Sequence, residues 1–362
     1  MLVSNLLLYQ PGYSGFSSYV QRVMPGLPGF RLQINNISGL HCIIDNELPT
    51  DLPRARRIRW LQRLSLTQHG VSVRAAISTA GIMADDIEAV YSPYCDYLFA
   101  LPLLKQVITC HDLTPLFFPN SRKAWLRYRF WTPIHLRRAN RIVAISGYVA
   151  DQLVDLGVPA SKVEVVWNGI ALERPRLTCP SSHDLVMLAR HDANKNVAFV
   201  LRAFGQLLEQ RPDWPGRLVV VGRSGRQTLS LQALRRSQSH PERVEFVEAL
   251  DGPALVERLR TSLALVSASV MEGFDYPVLE AKAEGLPTLI SRIPVHRELH
   301  SGSSLFFSLD DGGEQFRNAL IRLAQNTALW TELSERGYQL AKRLDLSRQQ
   351  QGIQALLDSV SR

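Results

Sequence analysis

Short, nearly uninterrupted apolar runs alternate along this chain with stretches in which apolar residues recur every three or four positions. The runs fall at Met1–Tyr9, Arg31–Ile37, Ala89–Ser92, Gln106–Cys110, Arg141–Ser146, Lys162–Trp167, Asp184–Ala189, Leu218–Gly222, Val244–Val247, Ser262–Ser269 and Leu286–Ser291. Runs of this length with little polar alternation read as strands covered on both faces, the habit of parallel sheets. The helical period marks about Ser17–Met24, Arg54–Gln68, Lys123–Arg138, Ser146–Leu153, Ala254–Ser262, residues 313–344 and Ser347–Val360. Strand and helix in strict alternation predict an α/β protein. No periodic pattern crosses Arg174–Ser182, which therefore reads as a linker. With 362 residues the chain is too long for one ordinary core. It divides into residues 1–172 and 183–344, each an open α/β sheet.

One stretch concentrates the chemistry: Glu272-Gly-Phe-Asp-Tyr-Pro-Val-Leu-Glu280-Ala-Lys-Ala-Glu-Gly285, set between two strand-like runs. Pro277 suits the first turn of a helix and Gly285 its stop. The helix start offers backbone N–H groups and a positive dipole end, and Gly273 lets a ligand approach the backbone closely. Glu272 lies in the loop and Glu280 about one turn inside the helix. A diphosphate on the helix start would thus have a carboxylate near each hydroxyl-bearing end. Arg190 and Lys195 emerge at the end of the Asp184–Ala189 run, a planar fork and a flexible point charge suited to phosphate oxygens. Gly222 ends the next strand, where a nucleotide base could approach. In the first half, His111 and Asp112 end the Gln106–Cys110 run, where ligands of parallel sheets collect.

These residues carry a resemblance. The Glu272 to Glu280 spacing is similar to the glutamate-x7-glutamate signature of retaining glycosyltransferases of the GT-B fold, two Rossmann-like domains facing across a cleft, and in particular of bacterial mannosyltransferase-like enzymes of O-antigen and other surface polysaccharide assembly. "AISGYVADQL" followed by "VEVVWNGI" keeps the order and spacing of that family. The resemblance implies Arg190 and Lys195 around a donor diphosphate, Glu280 on the ribose, and Glu272 with the Gly273 and Phe274 backbone on the sugar. It adds Val278 and Leu279 to the donor-binding segment, His111 as a donor-sugar contact, Gly12 and Gly15 as the glycine pair of the first loop, and a last helix, residues 345–362, that packs back on the first domain. The family commonly has glycine and an aliphatic residue where this chain has Asp275 and Tyr276. An extra carboxylate beside the sugar puts the identity of that sugar in doubt. The expected donor is GDP-linked mannose or rhamnose, with UDP and dTDP donors open. The acceptor is expected to be a glycan on a polyprenyl diphosphate.

Charge adds a partner. The net charge is +8, and residues 1–170 hold 17 basic against 11 acidic side chains. Residues 52–84 contain six arginines and no acid, and residues 113–150 seven basic residues and no acid. Arg54–Gln68 with Trp60, and Lys123–Arg138 with Trp125, Tyr128, Phe130 and Trp131, are basic and aromatic enough to lie on an anionic membrane surface. No apolar run approaches the roughly 20 residues that span a bilayer. Four cysteines without CxxC spacing, and an apolar start without a basic n-region, point to the cytoplasm, at most on the inner face of the membrane. No aspartate-x-aspartate metal signature occurs, so no metal and no other cofactor is expected. A GT-B epimerase or phosphorylase would share the fold. A nucleic-acid-binding protein would use the charge but has no recognisable motif here and leaves the glutamate loop without a role, so no nucleic-acid partner is expected.

Overall fold

The computed structural model describes residues 1–6, 9, 15–35, 39–43, 74, 77–78, 81–119 and 121–361. Gly12 and the basic segment Arg54–Gln68 with Trp60 lie outside the described residues. The chain divides into two compact units, one of residues 1–113, 126–168 and 346–362, the other of residues 114–125 and 169–345.

The first unit holds a seven-stranded sheet in the order β3-β2-β1-β4-β5-β6-β7. Its strands are β1 (Leu2–Asn5), β2 (Phe30–Asn35), β3 (Gly39–Ile43), β4 (Ala89–Ser92), β5 (Lys105–Cys110), β6 (Arg141–Ala144) and β7 (Val163–Val165). All pairings are parallel except β2 with β3, an antiparallel edge that the apolar pattern did not announce. The central strands are buried along almost their whole length, as continuous apolar runs require. The helix expected from Ser17 starts at Gly15 and ends at Val23. Ser146 caps Gly147–Asp155 by accepting from the Val149 N–H at 3.2 Å. The final helix, Leu346–Ser361, packs on Gly15–Val23 and on β4, β5 and β6. Its Gln349 donates to the buried Asn168 side chain at 2.9 Å, and Gln350 donates to the Arg22 carbonyl at 3.2 Å.

The second unit is a six-stranded, wholly parallel sheet in the order β10-β9-β8-β11-β12-β13. Its strands are β8 (Leu185–Leu188), β9 (Leu218–Val221), β10 (Val244–Val247), β11 (Ala264–Ser267), β12 (Thr288–Ser291) and β13 (Leu305–Phe307). Counted within the unit this is 3-2-1-4-5-6, the doubly wound Rossmann order, whose direction reverses between β8 and β11. Ligands of such sheets gather at that reversal, outside the carboxyl ends of the two strands. Residues 313–344 form two helices rather than one, Glu314–Gln325 and Thr327–Arg343. Asn326 starts the second by accepting from the Leu329 N–H. The segment read as a linker is tied down on this unit, with Arg176 paired to Glu335 at 2.8 Å and Arg174 to Glu284 at 3.4 Å.

Candidate functional site

The loops after β8 and β11 meet at the reversal point of the second sheet. The Val270 N–H donates to the Asn194 carbonyl at 2.8 Å, which ties the two loops backbone to backbone. After β8, a single turn at Ala193–Lys195 ends in Asn196, left-handed at φ 48°, and the helix Val197–Gln210 follows. After β11 the chain runs through Glu272 to Asp275, left-handed at φ 67°, and then into the helix Tyr276–Ala283. Pro277 stands in the first turn of that helix as expected. Gly285, at φ 77°, ends it with a Schellman turn: the Leu286 N–H reaches the Ala281 carbonyl at 2.9 Å and the Gly285 N–H reaches Lys282 at 3.0 Å.

Lys195 is the centre of the site. Its ammonium lies 2.8 Å from Glu272 Oε1 and 3.2 Å from Asp275 Oδ1. Asn194 also donates to Glu272, at 3.3 Å. Burial works against the Lys195 charge, but the carboxylates of Asp275 and Glu272 outweigh it and push the pKa up. Burial raises the Glu272 pKa, with Lys195 only partly offsetting it. Asp275 goes the other way. Burial disfavours its charge, yet Lys195, His296 and Ser267 together hold it well below the usual carboxylate range. An unpaired buried carboxylate costs several kcal/mol, so this one persists only because every oxygen is occupied. Asp275 does not cap the helix it precedes. Instead Ser267 Oγ donates to its Oδ2 at 2.5 Å and His296 Nε2 lies 3.1 Å from the same oxygen.

The other expected residues divide. Gly273 and Phe274 are buried in the loop between Glu272 and Asp275, and Glu280 is half-buried one turn into the helix. Val278 and Leu279 are fully buried, so their side chains belong to the core and only their backbone faces the helix start. Arg190 is turned to Asp192, 3.1 Å away, with more than half of its side chain exposed. The closeness that demands glycine at 222 is to protein: a Cβ there would stand 2.0 Å from the Ala189 carbonyl oxygen. His111 and Gly15 belong to the first unit. His111 Nε2 is 2.7 Å from the Pro93 carbonyl, which only accepts, so this nitrogen carries the proton and Nδ1 is the acceptor. Burial pulls the His111 pKa down to about 4, against the Pro93 bond, and the ring is neutral. Gly15 opens its helix with open space where a side chain would stand. Ser267, Asn194 and His296 were not foreseen, because nothing local in the sequence sets them apart.

Residues 182–326 match the family profile described as "Glycosyl transferases group 1", and residues 47–174 match "Glycosyltransferase Family 4". Residues 182–326 thus resemble the group 1 glycosyltransferases, and a second glycosyltransferase profile covers much of the part before them. It is 25% identical over 219 residues to the O-antigen chain mannosyltransferase RfbU of Salmonella typhimurium, covering 60% of this chain and 61% of that one. It is 28% identical over 188 residues to the serotype-specific mannosyltransferase WbdA of Escherichia coli, covering 51% of this chain and 22% of that one. The chain thus spans about three fifths of the first relative and about a fifth of the second. Among solved structures, Anabaena HepE in complex with UDP-glucose superposes with a TM-score of 0.75 at 16% identity over 99% of both chains. Sucrose-phosphate synthase of Thermosynechococcus elongatus gives 0.73 at 14% identity, over 99% of this chain and 98% of that one. The fold is therefore GT-B, as the resemblance carried by the glutamate signature led one to expect.

Proposed function

We propose that this protein transfers a hexose of the mannose or rhamnose type, with retention, from a GDP-linked donor to a growing lipid-linked glycan of a surface polysaccharide. The observation that carries the reading is the Lys195, Glu272 and Asp275 cluster at the reversal point of a Rossmann-ordered sheet. It sets a cation beside a helix start, and the two mannosyltransferases among the relatives support the choice of sugar. In this reading the acceptor hydroxyl attacks the anomeric carbon as its bond to the donor phosphate breaks, and the hydroxyl proton passes to the departing phosphate oxygen on the same face. Lys195 and Arg190 neutralise the diphosphate, and no metal ion is required. Glu272 accepts from sugar hydroxyls and Glu280 from the ribose. His111, neutral, accepts a sugar hydroxyl at Nδ1.

The acceptor side draws on the helical stretch Arg122–Arg138. Leu126, Phe130, Trp131 and Ile134 are exposed there, beside the exposed Arg129, Arg137 and Arg138. Aromatic and basic side chains on one exposed stretch suit the headgroup layer of an anionic membrane, where a lipid-linked glycan is presented. Among the described residues no helix is long and apolar enough to cross a membrane. The test is to incubate the purified protein with GDP-mannose, GDP-rhamnose and UDP- and dTDP-hexoses, supplying bacterial lipid-linked oligosaccharide as acceptor. An α-linked product from an α-linked GDP donor is expected. Inversion, or transfer from none of these donors, would refute the reading.

A further inference from the structure

Behind Lys195 lies a buried contact that a transferase site does not by itself require. His296, in the helix Pro294–His300, is fully buried and its two ring nitrogens face two acceptors. Nδ1 is 2.8 Å from the Ser291 carbonyl oxygen. The Ser291 hydroxyl cannot donate to Nδ1, since its proton goes to the Ser269 carbonyl at 2.6 Å. A carbonyl only accepts, so Nδ1 carries a proton. Nε2 is 3.1 Å from Asp275 Oδ2, which already accepts from Ser267. Both oxygens of Asp275 already accept, Oδ1 from the Lys195 ammonium at 3.2 Å and Oδ2 from the Ser267 hydroxyl at 2.5 Å, which leaves it no proton to give, so the shared proton sits on Nε2 as well. The groups behind His296 do not compete with it. Burial drives the Lys282 amine, which donates to the Ser303 carbonyl at 2.8 Å, toward its neutral form. Burial, and then the nearness of Lys282, does the same to His300, whose ring is 6.1 Å from that of His296.

We infer that His296 and Asp275 form a buried pair of opposite charge that positions Lys195 and keeps its positive charge available for the donor diphosphate. This deepens the proposed role of Lys195 and rests on it. The four groups Lys195, His296, Glu272 and Asp275 sum to zero. When sugar hydroxyls take Glu272, Asp275 remains balanced by His296, and Lys195 is left with one uncompensated charge pointing at the phosphates. With a neutral residue at 296, Asp275 balances Lys195 instead and the attraction for the diphosphate falls. Asp275 thus serves the diphosphate from behind, with both of its oxygens engaged by Lys195, Ser267 and His296. At φ 67° Asp275 is one of two non-glycine residues with left-handed backbone among the described residues, a strain that fits a residue held in place for its carboxylate.

The experiment combines His296→Gln, Asp275→Asn, their double variant, and His296→Gln in a Lys195→Ala background. The readouts are the Kd for GDP and UDP by calorimetry, and kcat/KM. His296→Gln is expected to weaken diphosphate binding by on the order of 10- to 100-fold, the range for a hydrogen bond to a charged group. The double variant, with both buried charges removed, is expected to recover most of that loss. Merely losing contacts would make the double variant worse than the single one. In the Lys195→Ala background His296→Gln is expected to change the Kd less than about twofold. A double variant no better than His296→Gln, or an equal loss without Lys195, overturns the inference. Should His296→Gln not fold, nitrogen-15 NMR of the wild-type protein decides it: protons on both His296 nitrogens are expected, and a neutral ring overturns the pair. Wild-type protein that binds neither diphosphate would sink the proposed function itself. Binding without the variant pattern would sink only the pairing.

Discussion

Lys195 sits between two carboxylates at 2.8 and 3.2 Å, so a neutral replacement leaves Glu272 uncompensated in a buried place and Asp275 with His296 alone. Lys195→Ala and Glu272→Ala are each expected to lower kcat by on the order of 10²- to 10³-fold, the range seen when one preorganised charge partner of a reacting group is removed. Circular dichroism spectra that match the wild type, with turnover within threefold of it, would contradict their roles. Lys195 and Glu272 were legible because strand ends and a family motif mark them. The Asp275 partnership was not, since His296 lies 21 residues away in the next strand-helix unit and no spacing rule joins the two. His111 permits a pH test. Burial lowers its pKa from an ordinary 6.5 to about 4, so between those values the unfolded chain binds the proton that the folded one resists. Stability therefore falls as the pH drops through that window and is unaffected above it. In urea titrations His111→Gln should lose stability less steeply than wild type from pH 6.5 to 4, by up to about 1.4 kcal/mol per unit. Parallel curves would show that His111 is not the group concerned.

The helix Tyr276–Ala283 owes its limits to residues that can be read directly, Pro277 at its start and Gly285 past its end. Gly285 does more than stop the helix. At φ 77° a Cβ would stand 2.4 Å from Arg176 Cγ and 2.8 Å from the Leu177 backbone nitrogen. Gly285→Ala is expected to cost about 1–2 kcal/mol from left-handed backbone alone, with the collision added, and so to lower the urea midpoint clearly. An unchanged midpoint would mean that the segment around Arg176 can shift. What stayed illegible at this scale has identifiable causes. β13 is only three residues long, and β3, Gly-Leu-His-Cys-Ile, is broken by Gly39 and His41 so that it forms no continuous apolar run. The break at Asn326 lies inside an otherwise helical pattern, where only its capping bond to Leu329 marks a new start.

At the scale of the molecule, two sheets and eleven of the thirteen strands among the described residues followed from alternation alone, whereas β3, β13 and the membership of residues 114–125 in the second unit did not. Periodicity reports the local faces of elements and carries no information on which core a short connecting stretch joins. If side-chain cations replace a metal, dialysis against EDTA should leave the initial rate of transfer within twofold of the untreated enzyme. Loss restored by magnesium or manganese would show that a divalent ion is needed. If Phe130, Trp131 and Arg129 touch lipid, changing them to Ser, Ser and Glu should weaken binding to phosphatidylglycerol vesicles in co-sedimentation by roughly 30-fold, at about 1 kcal/mol for the basic residue and a similar amount from the aromatics. Turnover on a detergent-dispersed acceptor should be unchanged, and equal sedimentation would remove the membrane from the picture.

The helix Leu346–Ser361, which closes over β4, β5 and β6, also dictates the order of events during synthesis. Residues 169–345 can collapse as soon as they leave the ribosome, while the lobe begun earlier waits, partly uncovered, for a helix that is made only after all of them. A premature stop just before Leu346 therefore injures the half of the protein made first, and leaves the half made later with all of its own strands.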